Sequence, residues 1–311
     1  MLNGRKYRYV FLIGFIVIIL MFLMDSRFHV KSHLKVLYQE SVKSLTQEMG
    51  EERRQERRSE KRLKQKIFAF IHTFPPYHQT RAKAVEMTWA SRLDDYVFST
   101  IQDDKNLTNS RFWLWDRVKA AFRKTYKEKG NDFDWFMKAD DDCYYIMENI
   151  REVLSKYDPN EPWYLGELVT SGYKVYPSGG TGYILSRAAL KKFVTALDEP
   201  KTKCRKESDE EEDIHIGNCF RYANLSLIPT VNKEGRHSLI PINLKDLVPD
   251  VLERNVFTKW YTTKSKIKVK TGKDCCGPKL MAVHKVTYQE MFVYDYLLYR
   301  VQIADLDDLD D

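Results

Sequence analysis

The chain has 311 residues, 43% hydrophobic and 31% charged, enough for one large domain or two small ones around a substantial core. Its formal net charge is +7, but much of the excess lies in the first 66 residues and no basic stripe interleaved with aromatics follows, which excludes nucleic acid as the partner. The aromatic content (19 Tyr, 16 Phe, 6 Trp) is commoner in carbohydrate-handling proteins.

Arg5, Lys6 and Arg8 precede an uncharged apolar run from Val10 to Met24, which ends at Asp25, Ser26 and Arg27. Fifteen residues are short beside the roughly 20 of a typical span, but flanking basic side chains can snorkel and early secretory membranes are thinner. No small-x-small cleavage site follows, and the basic flank favours a cytosolic N-terminus. The expected organisation is a cytosolic tail (1–9), a signal-anchor transmembrane helix (10–24), a charged stem (25–66), a lumenal domain (67–300) and an acidic tail (301–311). Between Glu51 and Lys66 four acids and eight bases accompany a single apolar residue, Leu63, so no core can form there.

In a lumenal setting Asn106-Leu-Thr and Asn224-Leu-Ser are N-glycosylation candidates. Among the five cysteines, Cys204 and Cys219 could close a loop worth about 3 kcal/mol. Cys275 and Cys276 are further disulfide candidates. No Cys-x-x-Cys or His-x-x-His spacing suggests zinc, so a metal here would be oxygen-bound.

The domain opens with Ile67-Phe-Ala-Phe-Ile-His-Thr, a buried strand ending before Pro75-Pro76. A helix over Arg81 to Trp89, a strand over Asp95 to Thr100 and a long helix over Arg111 to Lys127 follow, the last with Trp115, Val118, Phe122 and Tyr126 at helical spacing. Next comes Asp134-Trp-Phe-Met-Lys-Ala and then three carboxylates, Asp140, Asp141 and Asp142. Clustered acids at the end of a buried strand raise one another's pKa, and a divalent cation removes that cost. Hard oxygen donors there suit Mg²⁺ or Mn²⁺ and, through the ion, a diphosphate. A helix from Ile146 to Tyr157 and a strand at Trp163-Tyr-Leu-Gly complete a βα alternation that predicts a mostly parallel, doubly wound α/β sheet, with ligands at the carboxyl ends of its strands.

The second half carries Ser178-Gly-Gly-Thr-Gly-Tyr, which fits neither a phosphate-binding Walker loop nor a dinucleotide fingerprint. A structural turn and a cradle for a ligand are both open from its residues alone. Further on, Glu212-Asp-Ile-His-Ile-Gly follows a run of acids that would otherwise read as a solvated loop.

Taken in order, Asp134 to Asp142, Leu154 to Gly166, the Ser178 loop and the Glu212-Asp213 element resemble the animal core 1 β1,3-galactosyltransferases, relatives of the Fringe proteins in the β1,3-glycosyltransferase superfamily. The resemblance runs from about Ile67 to Tyr299. It implies a GT-A type, Rossmann-like fold, a Golgi type II membrane protein, and inverting Mn²⁺-dependent transfer from UDP-galactose to N-acetylgalactosamine on Ser or Thr of glycoproteins. A homodimer is a further expectation.

By the same resemblance Asp140, Asp142 and His284 would hold the metal. Thr73, Arg81, Arg111 and Asp141 would join Asp140 and Asp142 around the donor. Asp213 would be the catalytic base, while Glu212, Gly180, Tyr183, Trp260 and Tyr261 would lie on the acceptor side. Unaided, a single histidine in an apolar run such as His284 reads as a core residue. The chain departs from the family at Ala69 and Leu93, where a pair of cysteines is usual, at Phe112 and Asp116, at Cys143, where threonine is usual, and over 223–250. Two rival readings keep part of this: the same chemistry with other sugars, and a non-catalytic chaperone of the galactosyltransferase. The intact Asp140, Asp142, Asp213 and His284 speak against the chaperone.

Overall fold

Residues 65–100, 111–207, 211–249 and 255–302, with positions 40, 43 and 44, are described in the structure, a computed structural model. The chain divides into two units, Met1–Lys61 and Arg62–Asp311, and every strand among the described residues lies in the second. The cytosolic tail, the anchor, nearly all of the stem, Asn106 and the acidic end beyond 302 lie outside the described residues. Among the described residues no helix is long and apolar enough to cross a membrane.

The first strand, β1 (Ile67–His72), is buried along its whole length. Its alternate residues feed two cores: Ile67, Ala69 and Ile71 pack on one side of the sheet, Phe68 and Phe70 on the other. The expected helix over 81–89 is broken into a π-turn (His78–Ala82), a short α1 (Lys83–Met87) and a 3₁₀ turn at Trp89–Arg92. After β2 (Asp95–Ser99), α2 (Leu114–Lys129) turns Trp115, Val118 and Phe122 onto the sheet. β3 (Trp135–Asp140) obeys the same alternation, with Trp135, Met137 and Ala139 on the first face and Phe136 on the second.

A strand that the sequence reading missed, β4 (Cys143–Tyr145), follows the acids, so α3 (Met147–Leu154) is shorter than the expected 146–157 helix. The chain continues through β5 (Trp163–Gly166) and a hairpin of β6 (Leu168–Ser171) and β7 (Lys174–Pro177) to β8 (Tyr183–Ser186). Next come α4 (Arg187–Asp198), capped by the Ser186 hydroxyl, α5 (Glu212–Tyr222) and β9 (Ser226–Ile228). β10 (Leu239–Ile240), α6 (Leu244–Leu247), α7 (Val256–Lys264), β11 (Ala282–His284) and α8 (Tyr288–Tyr299) complete the described chain.

The main sheet has the order β2-β1-β3-β8-β5-β9. All of its strands run the same way except β8, which is antiparallel to both neighbours. The mixed α/β class agrees with the expectation, and the reversed strand modifies it. The β6–β7 hairpin folds the chain back once, so β8 enters from the opposite end without a crossover helix. A second sheet, β10-β11-β4, sets the chain just after the acids beside β11.

Candidate active site

The acids lie at the carboxyl end of β3, Asp140 as its last residue and Asp141 and Asp142 just beyond, and a cleft of about 990 Å³ opens there. Its walls include Thr73, Arg81 and Arg117, the three acids, Gly179 and Gly180, Glu212 and Asp213, and His284 with Lys285.

The three acids are treated differently. Asp141 is buried, accepts a 2.7 Å hydrogen bond from Thr73 Oγ1 and lies 3.4 Å from Arg81. Burial pushes its carboxyl up to about 6, against the pull of Thr73 and Arg81. Asp142 has Arg81 at 3.6 Å and His284 Nε2 at 3.3 Å; burial works against its charge, but His284 and Arg81 hold its pKa below the ordinary value. Asp140 faces Lys138, whose Nζ lies 3.0 Å from Oδ1 and 3.1 Å from Oδ2.

His284 is oriented by its other nitrogen. Nδ1 lies 3.1 Å from the Pro241 carbonyl, which can only accept, so Nδ1 carries the proton. If that is its only proton, Nε2 turns a lone pair toward Asp142, an arrangement that needs a second proton or a cation to be favourable. An imidazole fixed in this way beside a carboxylate fits a divalent ion. Among the described residues the donor atoms that converge within 4.8 Å are those of Asp142, Cys143 and His284. Asp140, expected in this group, is not among them; both its oxygens face the Lys138 ammonium.

The glycine loop is held by the two strands that flank the acids. Lys138 Nζ donates to the Gly179 carbonyl at 2.9 Å, Cys143 Sγ to that of Gly180 at 2.8 Å, and Tyr145 Oη to that of Thr181 at 3.1 Å. Two glycines are required. A Cβ on Gly180 would stand 2.4 Å from His284 Nδ1, and one on Gly182 would stand 2.1 Å from the Lys138 carbonyl oxygen at a φ of +66°. The cradle and turn readings of this loop are therefore compatible.

Glu212 and Asp213, also in the cleft lining, open α5. Glu212 is buried and accepts the Tyr183 hydroxyl hydrogen bond. Burial raises its carboxyl to about 7 despite Lys138 nearby. Asp213 is also raised by burial, while the backbone N–H groups of Ile214 and Gly179 work the other way. The Lys138 ammonium is the buried counter-charge: burial opposes it, yet Asp140 and Glu212 hold its pKa above the ordinary lysine value.

Thr73, Arg81, Gly180, Glu212, Asp213, His284 and the three acids therefore come together. Tyr183 does not line the cleft; it is buried and acts on Glu212. Tyr261 is fully buried, with its hydroxyl 3.0 Å from Glu167, so it offers no face to an acceptor. Its neighbour Trp260 is 40% exposed but stands outside the cleft lining. Arg111 starts a 3₁₀ turn, and its side chain is not among those described. Cys204 is joined to Cys219 and Cys275 to Cys276, leaving Cys143 free and buried. Asn224 is exposed just past α5. The residue missed by the sequence reading is Lys138. Its signal was a lone charge in an apolar strand, two positions before an acid and hence on the same face.

Glycoprotein-N-acetylgalactosamine 3-beta-galactosyltransferase 1 of Xenopus laevis is 29% identical over 248 residues, 77% of this chain and 68% of that protein. Beta-1,3-glucosyltransferases of mouse and human are 26% and 29% identical over 66% of this chain, a match that spans 42% of each relative. A solved glycosyltransferase involved in the glycosylation of the major capsid of PBCV-1 superposes over 75% of this chain and 99% of its own, at 15% identity and a TM-score of 0.37, too remote to argue from. Residues 62–275, which carry the acid-tipped strand, the glycine loop and the Glu212-Asp213 element, match the Fringe-like family, and the chain belongs to it.

Proposed function

We propose that the chain transfers galactose from UDP-galactose, with inversion, to the 3-hydroxyl of N-acetylgalactosamine on Ser or Thr of glycoproteins. The observation that supports the reaction class is that Asp213 and the acids after β3 face one cleft, in a chain related to a glycoprotein-N-acetylgalactosamine galactosyltransferase. The reading includes a GT-A fold, a type II anchor at residues 10–24 in the Golgi membrane, a lumenal catalytic domain and homodimer assembly.

In this scheme Asp142 and His284 would hold the cation, while Asp140, at the same end of the cleft, is paired with the buried Lys138 ammonium. Bound Mn²⁺ would supply Lewis-acid neutralisation of the donor diphosphate. Arg81, beside Asp141 and Asp142, adds a fixed positive charge at the same end of the cleft. Asp213 accepts the proton of the acceptor hydroxyl. Burial raises its pKa, bringing a carboxylate closer to the strength of a useful base, while the Ile214 and Gly179 N–H groups oppose that rise by favouring the charged form. Glu212, fixed by Tyr183, orients the acceptor side. One base and one leaving group suffice, with no covalent intermediate on the protein.

A second reading keeps the reaction and changes the donor to glucose, since β1,3-glucosyltransferases match two thirds of the chain. The test is transfer by the full-length chain in detergent, with Mn²⁺, UDP-galactose and a GalNAc-threonine peptide, against the other UDP-sugars. Transfer only from another donor rejects the galactose assignment. A folded protein that uses no donor supports the chaperone alternative.

A further inference from the structure

We propose that the cation site at the wall of this cleft is a mixed nitrogen–oxygen–sulfur centre, in which the Sγ of Cys143, buried just behind the cleft lining, is a ligand beside Asp142 and His284, and that this shifts its preference toward thiophilic divalent ions such as Zn²⁺, Co²⁺ and Cd²⁺. The inference rests on the proposed function only in taking this cleft as a cation site.

Strand pairing makes the juxtaposition. β4 runs antiparallel to β11 with Cys143 directly opposite His284, and Asp142 immediately precedes Cys143. Residues directly opposite in an antiparallel pair project to the same face, so the thiol and the imidazole are neighbours by construction. The three donor atoms lie within 4.8 Å of one another, compatible with one shared ion after small side-chain adjustments. The second carboxylate expected in a site of hard donors, Asp140, is turned onto the Lys138 ammonium. What remains is one carboxylate, one imidazole with its Nδ1 proton committed to Pro241, and one sulfur. Sulfur favours the softer ions of the first-row series and cadmium over manganese, which favours oxygen. On coordination the S–H bond breaks, the S–metal bond forms and the proton leaves to solvent, with no change of oxidation state.

The competing role for Cys143 is plain hydrogen bonding, since its Sγ donates to the Gly180 carbonyl at 2.8 Å. A hydroxyl can make the same bond, so Cys143→Thr and Cys143→Ser separate the two roles.

The full-length chain is titrated with Co²⁺ alone and its near-ultraviolet thiolate-to-cobalt charge-transfer band recorded. The expected result is one band, saturating at one ion per chain, that disappears in both variants while they keep the wild-type thermal melt. Any nitrogen–oxygen site already prefers Zn²⁺ to Mn²⁺, so the second readout is the change in that preference, expected to fall about tenfold or more in Cys143→Thr. Failure to bind Co²⁺, binding without the band, or an unchanged Zn²⁺-to-Mn²⁺ ratio in the variants each overturns the proposal. Neither readout uses transfer activity. A chain that shows the band but transfers no sugar keeps the centre and loses the proposed function; a galactosyltransferase without the band does the reverse.

Discussion

The Lys138 ammonium is clamped between both oxygens of Asp140 and the Gly179 carbonyl, with its side chain 2% exposed. Two positions apart on β3, Lys138 and Asp140 project to the same side, toward Tyr183 and the opening of α5. One buried cation thus serves two acids from distant parts of the sequence, Asp140 and Glu212, and ties the glycine loop to the strand beneath the cleft.

Removing that cation should be costly. In Lys138→Met the Gly179 carbonyl loses its donor, and Asp140 and Glu212 lose their shared counter-charge. Breaking a buried pair from one side costs about 3–5 kcal/mol, far more than losing an exposed one. Denaturant unfolding of the metal-free protein should show a loss of this size. A loss below about 1 kcal/mol, the range of exposed pairs, would mean that water already solvates the site.

The acids after β3 were legible because an apolar strand leading straight into carboxylates is a local pattern, and so was the helix face of Trp115, Val118 and Phe122. The partnership of β4 with β11 was not, since it joins segments well over a hundred residues apart and each is only three residues long. His284 could be placed only by resemblance, because nothing local separates a ligand from a core histidine. The Trp260-Tyr261 pair failed for a related reason. The dipeptide does not say which ring turns inward, and the buried Glu167, 94 positions away, claims Tyr261.

Gly180→Ala tests the close approach of the loop to His284. The added Cβ would sit 2.4 Å from Nδ1, so the ring must move and the Pro241 contact that fixes its tautomer is disturbed. Affinity for Mn²⁺, read by calorimetry without nucleotide, should weaken by about 10- to 100-fold, as when a group that orients a ligand is lost. Unchanged affinity would show that His284 is not a ligand.

The raised carboxyls give stability a definite pH slope. Glu212 is shifted by burial from 4.5 to about 7 and Asp141 from 3.8 to about 6. Across each interval the folded state binds more protons than the unfolded state, so stability falls as pH rises. For Glu212 the fall begins near pH 4.5 and is complete above about pH 7. Asp142, held below its ordinary value, acts only at lower pH. Metal-free wild type should therefore lose about 2 kcal/mol relative to Glu212→Gln between pH 5 and pH 8. Parallel melts of the two proteins across that range would be the contrary result.

Asp213→Asn separates chemistry from binding. The amide keeps the size and the acceptor oxygen that meets the Ile214 N–H at 2.9 Å, but it cannot take a proton from the acceptor hydroxyl. Loss of a positioned general base costs about 10²- to 10⁴-fold in rate. Initial rates of sugar transfer should fall by that factor, while calorimetric binding of UDP with Mn²⁺ stays within about twofold of wild type, since Asp142 and His284 are untouched. If binding and rate collapsed together, Asp213 would belong to the donor site. If the rate survived, the base would have to be sought at Glu212, the other carboxyl of the pair, whose raised pKa already keeps part of it protonated near neutrality.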